Sequence, residues 1–167
     1  MFTPQPIGFV ASPFKDAAEV PKGLGAQHEE EGVLNILPAF ELGLTDIEGY
    51  SHLIVLWTFH RSDGFFLLVT PPSDDHPHGV FTTRSPRRPN PIGFTVVELL
   101  RREGGSLYVR GVDMVDGTPI LDIKPYLSNI PPGETPPWMA SRGGSAKRVI
   151  LCYKPADAGR WQYASLR

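Results

Sequence analysis

The sequence has one cysteine in 167 residues, Cys152. A single cysteine cannot form an internal disulfide, and it offers no pair of thiolates for a zinc site. The run around it, residues 149–153, is apolar, so we interpret Cys152 as a small buried hydrophobic residue. The absence of disulfides favours a protein of the reducing cytoplasm.

Long apolar runs are also missing. The strongly apolar run at residues 53–57 is not exceeded in length by any other, whereas a membrane-spanning helix needs about 20 residues. The N-terminus does not have the basic and then apolar pattern of a signal peptide. We therefore expect no association with a membrane.

The sequence has no excess of positive charge, since its formal net charge is −2. No overall field attracts nucleic acid, so binding of RNA would require a local cluster of arginines. The alternative for these arginines is an ordinary solvated basic face. The candidates are Arg84, Arg87, Arg88, Arg101, Arg102 and Arg110.

Two types of ligand site have weak signals. The fragment Gly23-Leu-Gly25 lacks the third glycine and the following helix of a dinucleotide fingerprint. Asp74, Asp75, His76 and His78 are metal-ligating types, but Pro77 separates the two imidazoles and nothing fixes their geometry. We interpret this stretch as a polar loop and expect no metal site.

Glycine and proline are abundant, with 17 and 18 residues spread along the chain. This distribution favours short strands and tight connections over long helices. A short helix is predicted around Phe40, Leu44 and Ile47, which are spaced along one helical face. Asp116-Gly117, between two apolar runs, predicts a type I′ hairpin. Strands are predicted at residues 6–11, 33–37, 52–60, 92–100, 106–114 and 119–123.

These elements do not alternate as strand, helix, strand, so a doubly wound fold is excluded. We predict a mainly β protein: a small, largely antiparallel β-barrel with a short helix and long loops. The barrel domain is expected to span residues 1–130. Residues 131–167 are expected to form a C-terminal tail segment that packs on the barrel or on a partner subunit.

Residues 79–98 form the most distinctive stretch, with three arginines and three prolines after a short strand signal at residues 79–83. Each proline restricts its own φ and favours an extended conformation in the residue before it, here Ser85, Arg88 and Asn90. Ordering such a stiff loop around a ligand costs little entropy, which suits a binding or catalytic site. Asn90 has two interpretations: an acceptor for a substrate proton, or a turn residue whose amide bonds its own backbone.

Several blocks of residues occur in a recognisable order, among them Gly79-Val-Phe-Thr-Thr-Arg-Ser85, Arg88-Pro-Asn-Pro-Ile-Gly93, Asp116-Gly-Thr-Pro119 and Asp122-Ile-Lys-Pro-Tyr126. Together they resemble the TrmO/TsaA-like family over residues 6–127. That family contains S-adenosylmethionine-dependent tRNA methyltransferases that act on N6 of a modified adenosine, threonylcarbamoyladenosine, beside the anticodon. The resemblance implies a cytoplasmic β-barrel methyltransferase without a Rossmann fold. It also implies a homodimer with the cofactor bound near the subunit interface.

The resemblance assigns roles to individual residues. An arginine can form a bidentate pair with the carboxylate of S-adenosylmethionine, and an aspartate can accept hydrogen bonds from its ammonium or ribose hydroxyls. The segment Lys22-Gly23-Leu24 aligns with a further cofactor contact but departs from the family's pattern. The implied cofactor contacts are His60, Arg61, Arg84, Phe94, Asp116, Gly117, Thr118 and Pro119. On chemical grounds the candidate catalytic residues are Asn90, then Asp122 and Tyr126, and the candidate substrate contacts are Arg87, Arg88 and Lys124.

Two other functions are compatible with the same residues. One is an S-adenosylmethionine-dependent methyltransferase that modifies another RNA or a small molecule. The other is a module that binds the cofactor or RNA without catalysis, in which the arginines only contact phosphates.

Overall fold

The computed structural model describes residues 4–21, 28–71 and 75–126. The predicted tail, residues 131–167, and the segment Lys22-Gly23-Leu24 lie outside these ranges. The strands are β1 (Gly8–Ala11), β2 (Glu31–Ile36), β3 (His52–Thr58), β4 (Leu68–Val69), β5 (His78–Gly79), β6 (Ile92–Glu103), β7 (Ser106–Arg110) and β8 (Pro119–Pro125). Short 3-10 helices cover Pro38–Leu44, Ile47–Gly49 and Val80–Thr82.

Six of these strands form a closed antiparallel barrel in the order β1-β2-β7-β6-β3-β8, with β8 returning to β1. This confirms the predicted mainly β barrel. β4 and β5 form a separate two-stranded sheet. Strands β1, β3 and β7 end at the same end of the barrel at which β2, β6 and β8 begin. We call this the upper end, because the candidate site lies there.

The hydrophobic core is formed by the side chains that point inward at every second position of the strands. In β3 the side chains of Leu53, Val55 and Trp57 point inward and are buried, while the residues between them face outward. β3 has neighbours on both sides, β6 and β8. Gly93 of β6 lies opposite Trp57, and a Cβ atom there would overlap the indole ring. At the lower end the helix Pro38–Leu44 contributes the buried side chain of Leu44 to the core.

The predicted hairpin at Asp116-Gly117 is wrong. β7 pairs with β2 and β6, and β8 pairs with β1 and β3, so the two strands are not neighbours. The turn instead crosses the upper end of the barrel, where the Gly117 amide donates to the Val10 carbonyl at 2.8 Å. Gly117 has a φ of 75° and Asp116 is not among the positive-φ residues, which fits a type II turn and not type I′.

One further strand prediction and the helix prediction also need correction. Residues 79–83 do not form a strand, because only His78–Gly79 pair with β4 and the chain then enters the helix Val80–Thr82. The predicted short helix is realised as two 3-10 helices, Pro38–Leu44 and Ile47–Gly49. No helix in the described ranges is long and apolar enough to cross a membrane. Within those ranges no three His, Cys, Asp or Glu residues lie together so as to hold a metal ion.

Candidate functional site

The Asp116 turn is fastened to the segment that follows β1. Asp116 Oδ1 accepts a hydrogen bond from the Ser12 amide at 3.0 Å, and Oδ2 lies 2.8 Å from Lys15 Nζ. The Lys15 ammonium, and then the Ser12 amide, lower the pKa of Asp116. The carboxylate is therefore ionised at neutral pH, and each oxygen keeps further acceptor capacity.

His60 lies beside this turn, just beyond the end of β3. Its Nδ1 is 3.4 Å from Thr118 Oγ1, whose hydrogen is donated to the Val115 carbonyl at 2.6 Å. The Thr118 oxygen therefore accepts, and the pair favours the His60 tautomer with hydrogen on Nδ1. Partial burial, and then the Arg61 charge, lower the pKa of His60. The imidazole is accordingly neutral at pH 7.

Arg61 closes the same group of residues, because its Nη1 donates to the Lys15 carbonyl at 2.7 Å. The fold thus brings together most of the predicted cofactor contacts, namely His60, Arg61, Asp116, Gly117, Thr118 and Pro119. Lys15 and Ser12, which link them, were not predicted. Residues 14–32 show no helical or strand period, so nothing in the sequence indicated that Lys15 returns to a turn about a hundred residues later.

The proline-rich loop is held to the upper end by its carbonyl groups. The Pro91 carbonyl accepts from the Phe59 amide at 2.8 Å and from the Thr58 hydroxyl at 3.2 Å. Arg88 Nη1 donates to the Thr83 carbonyl within the loop at 3.0 Å. Asn90 is exposed, and its side-chain amide makes no hydrogen bond with the described residues. Asn90 is therefore placed at the upper end with its amide available to a ligand.

The other two loop arginines differ in their surroundings. The Arg87 guanidinium lies over the Phe66 ring, 5.4 Å from its centroid. Arg84 is exposed and forms no hydrogen bond or ion pair within the described part of the chain. By contrast, the remaining candidates for an RNA-binding patch pair with carboxylates: Arg101 with Glu103, Arg102 with Glu48, and Arg110 with Glu31 and Glu98. Of the six candidate arginines, only Arg84 and Arg87 of the loop thus have a guanidinium without a hydrogen bond or ion pair to the described residues.

A buried chain of hydrogen bonds lies under this loop. Trp57 Nε1 donates to Thr95 Oγ1 at 2.9 Å, and Thr95 Oγ1 donates to Asp113 Oδ1 at 2.5 Å. Burial raises the pKa of Asp113, with the Thr95 hydrogen bond and the nearby His28 and Arg84 acting in the opposite direction. Sequence reasoning missed Asp113, although an aspartate between apolar residues in the run Gly111-Val-Asp-Met-Val115 is a usable signal.

The remaining predicted site residues lie on the outer face of the barrel. Leu56 pairs with Phe94 on one side and with Asp122 on the other, so these three side chains form a row across β6, β3 and β8. Phe94 is 48% exposed. Asp122 forms an ion pair with Lys124, with Oδ2 and Nζ 2.5 Å apart.

Tyr126 lies farther away, at the lower end, where its amide donates to the His52 carbonyl at 3.1 Å. The seven residues of β3 separate this point from His60, a distance of about 20 Å. In the folded chain Asn90, Asp122 and Tyr126 therefore do not form a single cluster.

Comparison with known proteins identifies one family. Residues 9–131 match the family described as the tRNA-methyltransferase O N-terminal domain. A probable S-adenosyl-L-methionine-binding protein of Pyrococcus abyssi is 44% identical over 94% of this chain and 83% of its own length. The mouse tRNA (adenine(37)-N6)-methyltransferase is 39% identical over 75% of this chain.

Solved structures agree with this match. The crystal structure of TrmO from Pseudomonas aeruginosa superposes with a TM-score of 0.64 at 34% identity, covering 81% of this chain and 60% of that protein. The matched region is only 31% of the mouse enzyme. This chain thus corresponds to part of the length of these relatives.

Proposed function

The chain belongs to the family of tRNA-methyltransferase O N-terminal domains, and on that premise we propose that it is an S-adenosylmethionine-dependent methyltransferase that modifies N6 of an adenosine in tRNA. The observation that carries the proposal is the assembly of His60, Arg61 and the Asp116 turn at the upper end of the barrel, below a loop with unpaired arginines. A cytoplasmic location is part of the proposal, because the sequence has a single cysteine and therefore no internal disulfide.

The unpaired polar groups of the site fit this cofactor. The ligand carries a carboxylate, two positive charges, a ribose diol and an adenine. The Arg84 guanidinium has no partner among the described residues and suits the carboxylate. His28 Nδ1 is buried without a hydrogen-bond partner there, as expected for a group that a ligand or a neighbouring segment completes. The Gly117 turn lets the backbone approach closely because it has no side chain.

When bound, the cofactor supplies an electrophilic methyl carbon for an in-line displacement. The chain's own task is to align the acceptor nitrogen, exclude water and remove the proton. Asn90 is placed to accept a hydrogen bond from the amine, since its amide is exposed at the upper end. Asp122 remains the candidate proton acceptor, and Tyr126 remains the candidate stacking or hydrogen-bonding partner of the substrate.

The finer part of the proposal concerns the nucleoside. Threonylcarbamoyladenosine adds a carboxylate to the base beside the anticodon, and an unpaired arginine would recognise it. Arg87 is the best candidate, because it is exposed and pairs with no carboxylate in the described residues. Arg88 is partly committed to the Thr83 carbonyl, and Lys124 to Asp122. Arg88 and Lys124 are therefore better suited to positioning the loop and β8 than to binding phosphate.

A homodimer is a further part of the proposal. Tyr126 lies far from His60 within one subunit. On the outer face, Phe94 and Leu56 present partly exposed apolar side chains beside Asp122. Packing of a second copy against this row would bury Phe94 and would bring β8 of one subunit towards the upper end of the other. The cofactor would then lie near the interface.

The test of the function is mass analysis of tRNA nucleosides after incubation with the purified protein and S-adenosylmethionine. We expect a methylated form of the modified adenosine, absent with Arg84→Gln and strongly reduced with Arg87→Ala. Arg101→Ala is the matched control, because this exposed arginine stacks on Tyr108 and pairs with Glu103 away from the loop. Methyl transfer to a different nucleoside or to a small molecule would replace the tRNA proposal, and binding without transfer would leave a cofactor-binding module.

The shared site has its own test. Tyr126→Phe and His60→Gln variants should each be inactive, and mixing them should restore about one quarter of the activity, since a symmetric mixed dimer contains one site with both native residues. Light scattering should give the mass of a dimer, and Leu56→Lys should give a monomer. Leu42→Lys is the control, because Leu42 is 86% exposed on the lower helix. A wild-type monomer that transfers methyl groups would exclude the shared site.

A further inference from the structure

The Asp113 carboxyl group is partly buried and has no role in the methyl transfer described above. It lies in the segment between β7 and β8, at the upper end of the barrel. Its neighbours in the chain, Val112 and Met114, are fully buried in the core, so the backbone here is firmly placed. Among the described residues Asp113 belongs to no ion pair.

The direction of the hydrogen bonds around Asp113 is fixed by the chemistry of Trp57. An indole nitrogen only donates, so Thr95 Oγ1 accepts from Trp57 and has its own hydrogen free for Asp113 Oδ1. The chain therefore ends on Asp113 as an acceptor, and this hydrogen bond opposes the effect of burial, which raises the pKa of the carboxyl. A carboxylate has about four acceptor positions, and the Thr95 hydroxyl takes only one of them.

An imidazole and a guanidinium lie near this carboxylate without forming an ion pair with it. His28 and Arg84 both act on it electrostatically, and neither lies within ion-pair distance. Arg84 belongs to the proline-rich loop, and His28 directly follows residues 22–27, which the resemblance aligns in part with a cofactor contact. Asp113 thus lies near Arg84 of the proline-rich loop and near His28.

A buried carboxylate without an ion pair is costly, and a cation that binds next to it relieves that cost. S-adenosylmethionine carries positive charge on its sulfonium and on its ammonium group. We propose that Asp113 is a cofactor-binding residue that accepts the positive charge of S-adenosylmethionine, held in place by the Trp57–Thr95 hydrogen-bond chain. The inference rests on the cofactor of the proposed function and is independent of its RNA substrate.

Three ligands test the proposal by calorimetry in the absence of tRNA. S-adenosylmethionine carries both charges, S-adenosylhomocysteine carries only the ammonium, and 5′-methylthioadenosine carries neither. Asp113→Asn keeps the shape and the acceptor for Thr95 but removes the charge. We expect it to weaken binding of S-adenosylmethionine by about tenfold or more, the size typical of hydrogen bonds to charged groups, and to leave 5′-methylthioadenosine almost unaffected.

The second ligand identifies the charge. A loss confined to S-adenosylmethionine assigns Asp113 to the sulfonium, and an equal loss for S-adenosylhomocysteine assigns it to the ammonium. Equal losses for all three ligands, or no loss for any, overturn the proposal. Asp63→Asn is the matched control, because this exposed carboxylate forms no ion pair in the described part of the chain.

Two measurements separate the proposal from its rivals. Thermal unfolding without ligand identifies variants that fail to fold. Thr95→Val removes the hydrogen bond that positions Asp113 but keeps the charge, so it should weaken S-adenosylmethionine less than Asp113→Asn does and leave 5′-methylthioadenosine almost unaffected. If Asp113 acted only by supporting Thr95 and Trp57, both variants would weaken all three ligands by similar factors. Failure of tRNA methylation would leave these binding constants unchanged, whereas a wild-type protein that binds none of the three ligands would overturn both proposals.

Discussion

Lys15 and Asp116 are 101 residues apart in the chain and form an ion pair with Nζ and Oδ2 separated by 2.8 Å. With the Ser12 amide on the other oxygen, this pair ties the segment after β1 to the turn before β8. β1 has only four residues and pairs with β8 over two positions. The contact therefore strengthens the narrowest junction of the barrel.

The first prediction concerns this junction and pH. Asp116→Asn should lower the free energy of unfolding at pH 7 by about 1 kcal/mol, a value limited by the exposure of Lys15. Because the pKa of Asp116 is lowered in the folded protein, its contribution is present above the carboxyl's ordinary pKa and is lost as pH falls through the folded value. Urea unfolding at pH 7 and in acid should show the two proteins converging at low pH. Asp63→Asn should differ little at either pH, and a constant gap for Asp116→Asn would contradict the prediction.

The second prediction concerns the charge of His60. Burial is the main cause of its lowered pKa and Arg61 the next, while the hydrogen bond with the Thr58 backbone opposes them. A proton NMR titration should give a midpoint below the ordinary histidine value. Arg61→Gln should move the midpoint upwards but not fully to that value. Since the folded pKa is the lower one, stability should also decrease as pH falls from neutrality through the folded pKa. Arg87→Gln should leave the midpoint in place, and an unchanged midpoint in Arg61→Gln would contradict the electrostatic cause.

The sequence was sufficient for features that depend on local periodicity. The apolar runs at residues 52–60 and 92–100 predict β3 and β6, and prolines at positions 86, 89 and 91 predict a stiff loop between elements. The same reasoning failed for the Asp116-Gly117 turn. A strong turn signal between apolar runs does not reveal that closure of the barrel inserts other strands between β7 and β8.

Long-range placement explains the other differences. Lys15 lies in a segment without periodicity, so its return to Asp116 depends on the whole path of the chain. Asp122 and Tyr126 adjoin the Asp116 motif in sequence, but β8 carries them down the barrel wall and away from His60. Motif order along the chain thus did not predict which of these residues lie together in the folded chain.

The third prediction concerns the buried hydrogen-bond chain. Thr95→Val should lower the free energy of unfolding by about 1–3 kcal/mol, because it leaves the Trp57 N–H and a carboxylate oxygen unsatisfied in the interior. Thr58→Val is the matched control on the neighbouring strand. That substitution removes a longer hydrogen bond, 3.2 Å from the Thr58 hydroxyl to the Pro91 carbonyl, and this carbonyl still accepts from the Phe59 amide. Chemical denaturation that ranks the two variants equally, or in the reverse order, would contradict the importance of the chain.

The fourth prediction concerns the contact between Gly93 and Trp57. A Cβ atom on Gly93 would overlap the indole, which is held on one side by Thr95 and packs against Phe59 with ring centroids 4.3 Å apart. Because the indole is buried and these contacts restrict its movement, Gly93→Ala should destabilise the protein by about 1–3 kcal/mol, as overpacking of a core does. The tryptophan fluorescence spectrum should shift as well.

Gly79→Ala supplies the comparison for this substitution. Gly79 has a φ of −58°, and its added Cβ would meet nothing within 4 Å. Alanine there should be neutral or stabilising by up to about 1 kcal/mol, since it restricts only the unfolded chain. Because both glycines flank the proline-rich loop, a difference between them measures the packing on Trp57 and not a general intolerance of alanine at the ends of the loop. Equal destabilisation by the two variants would show instead that the loop requires glycine for its backbone path.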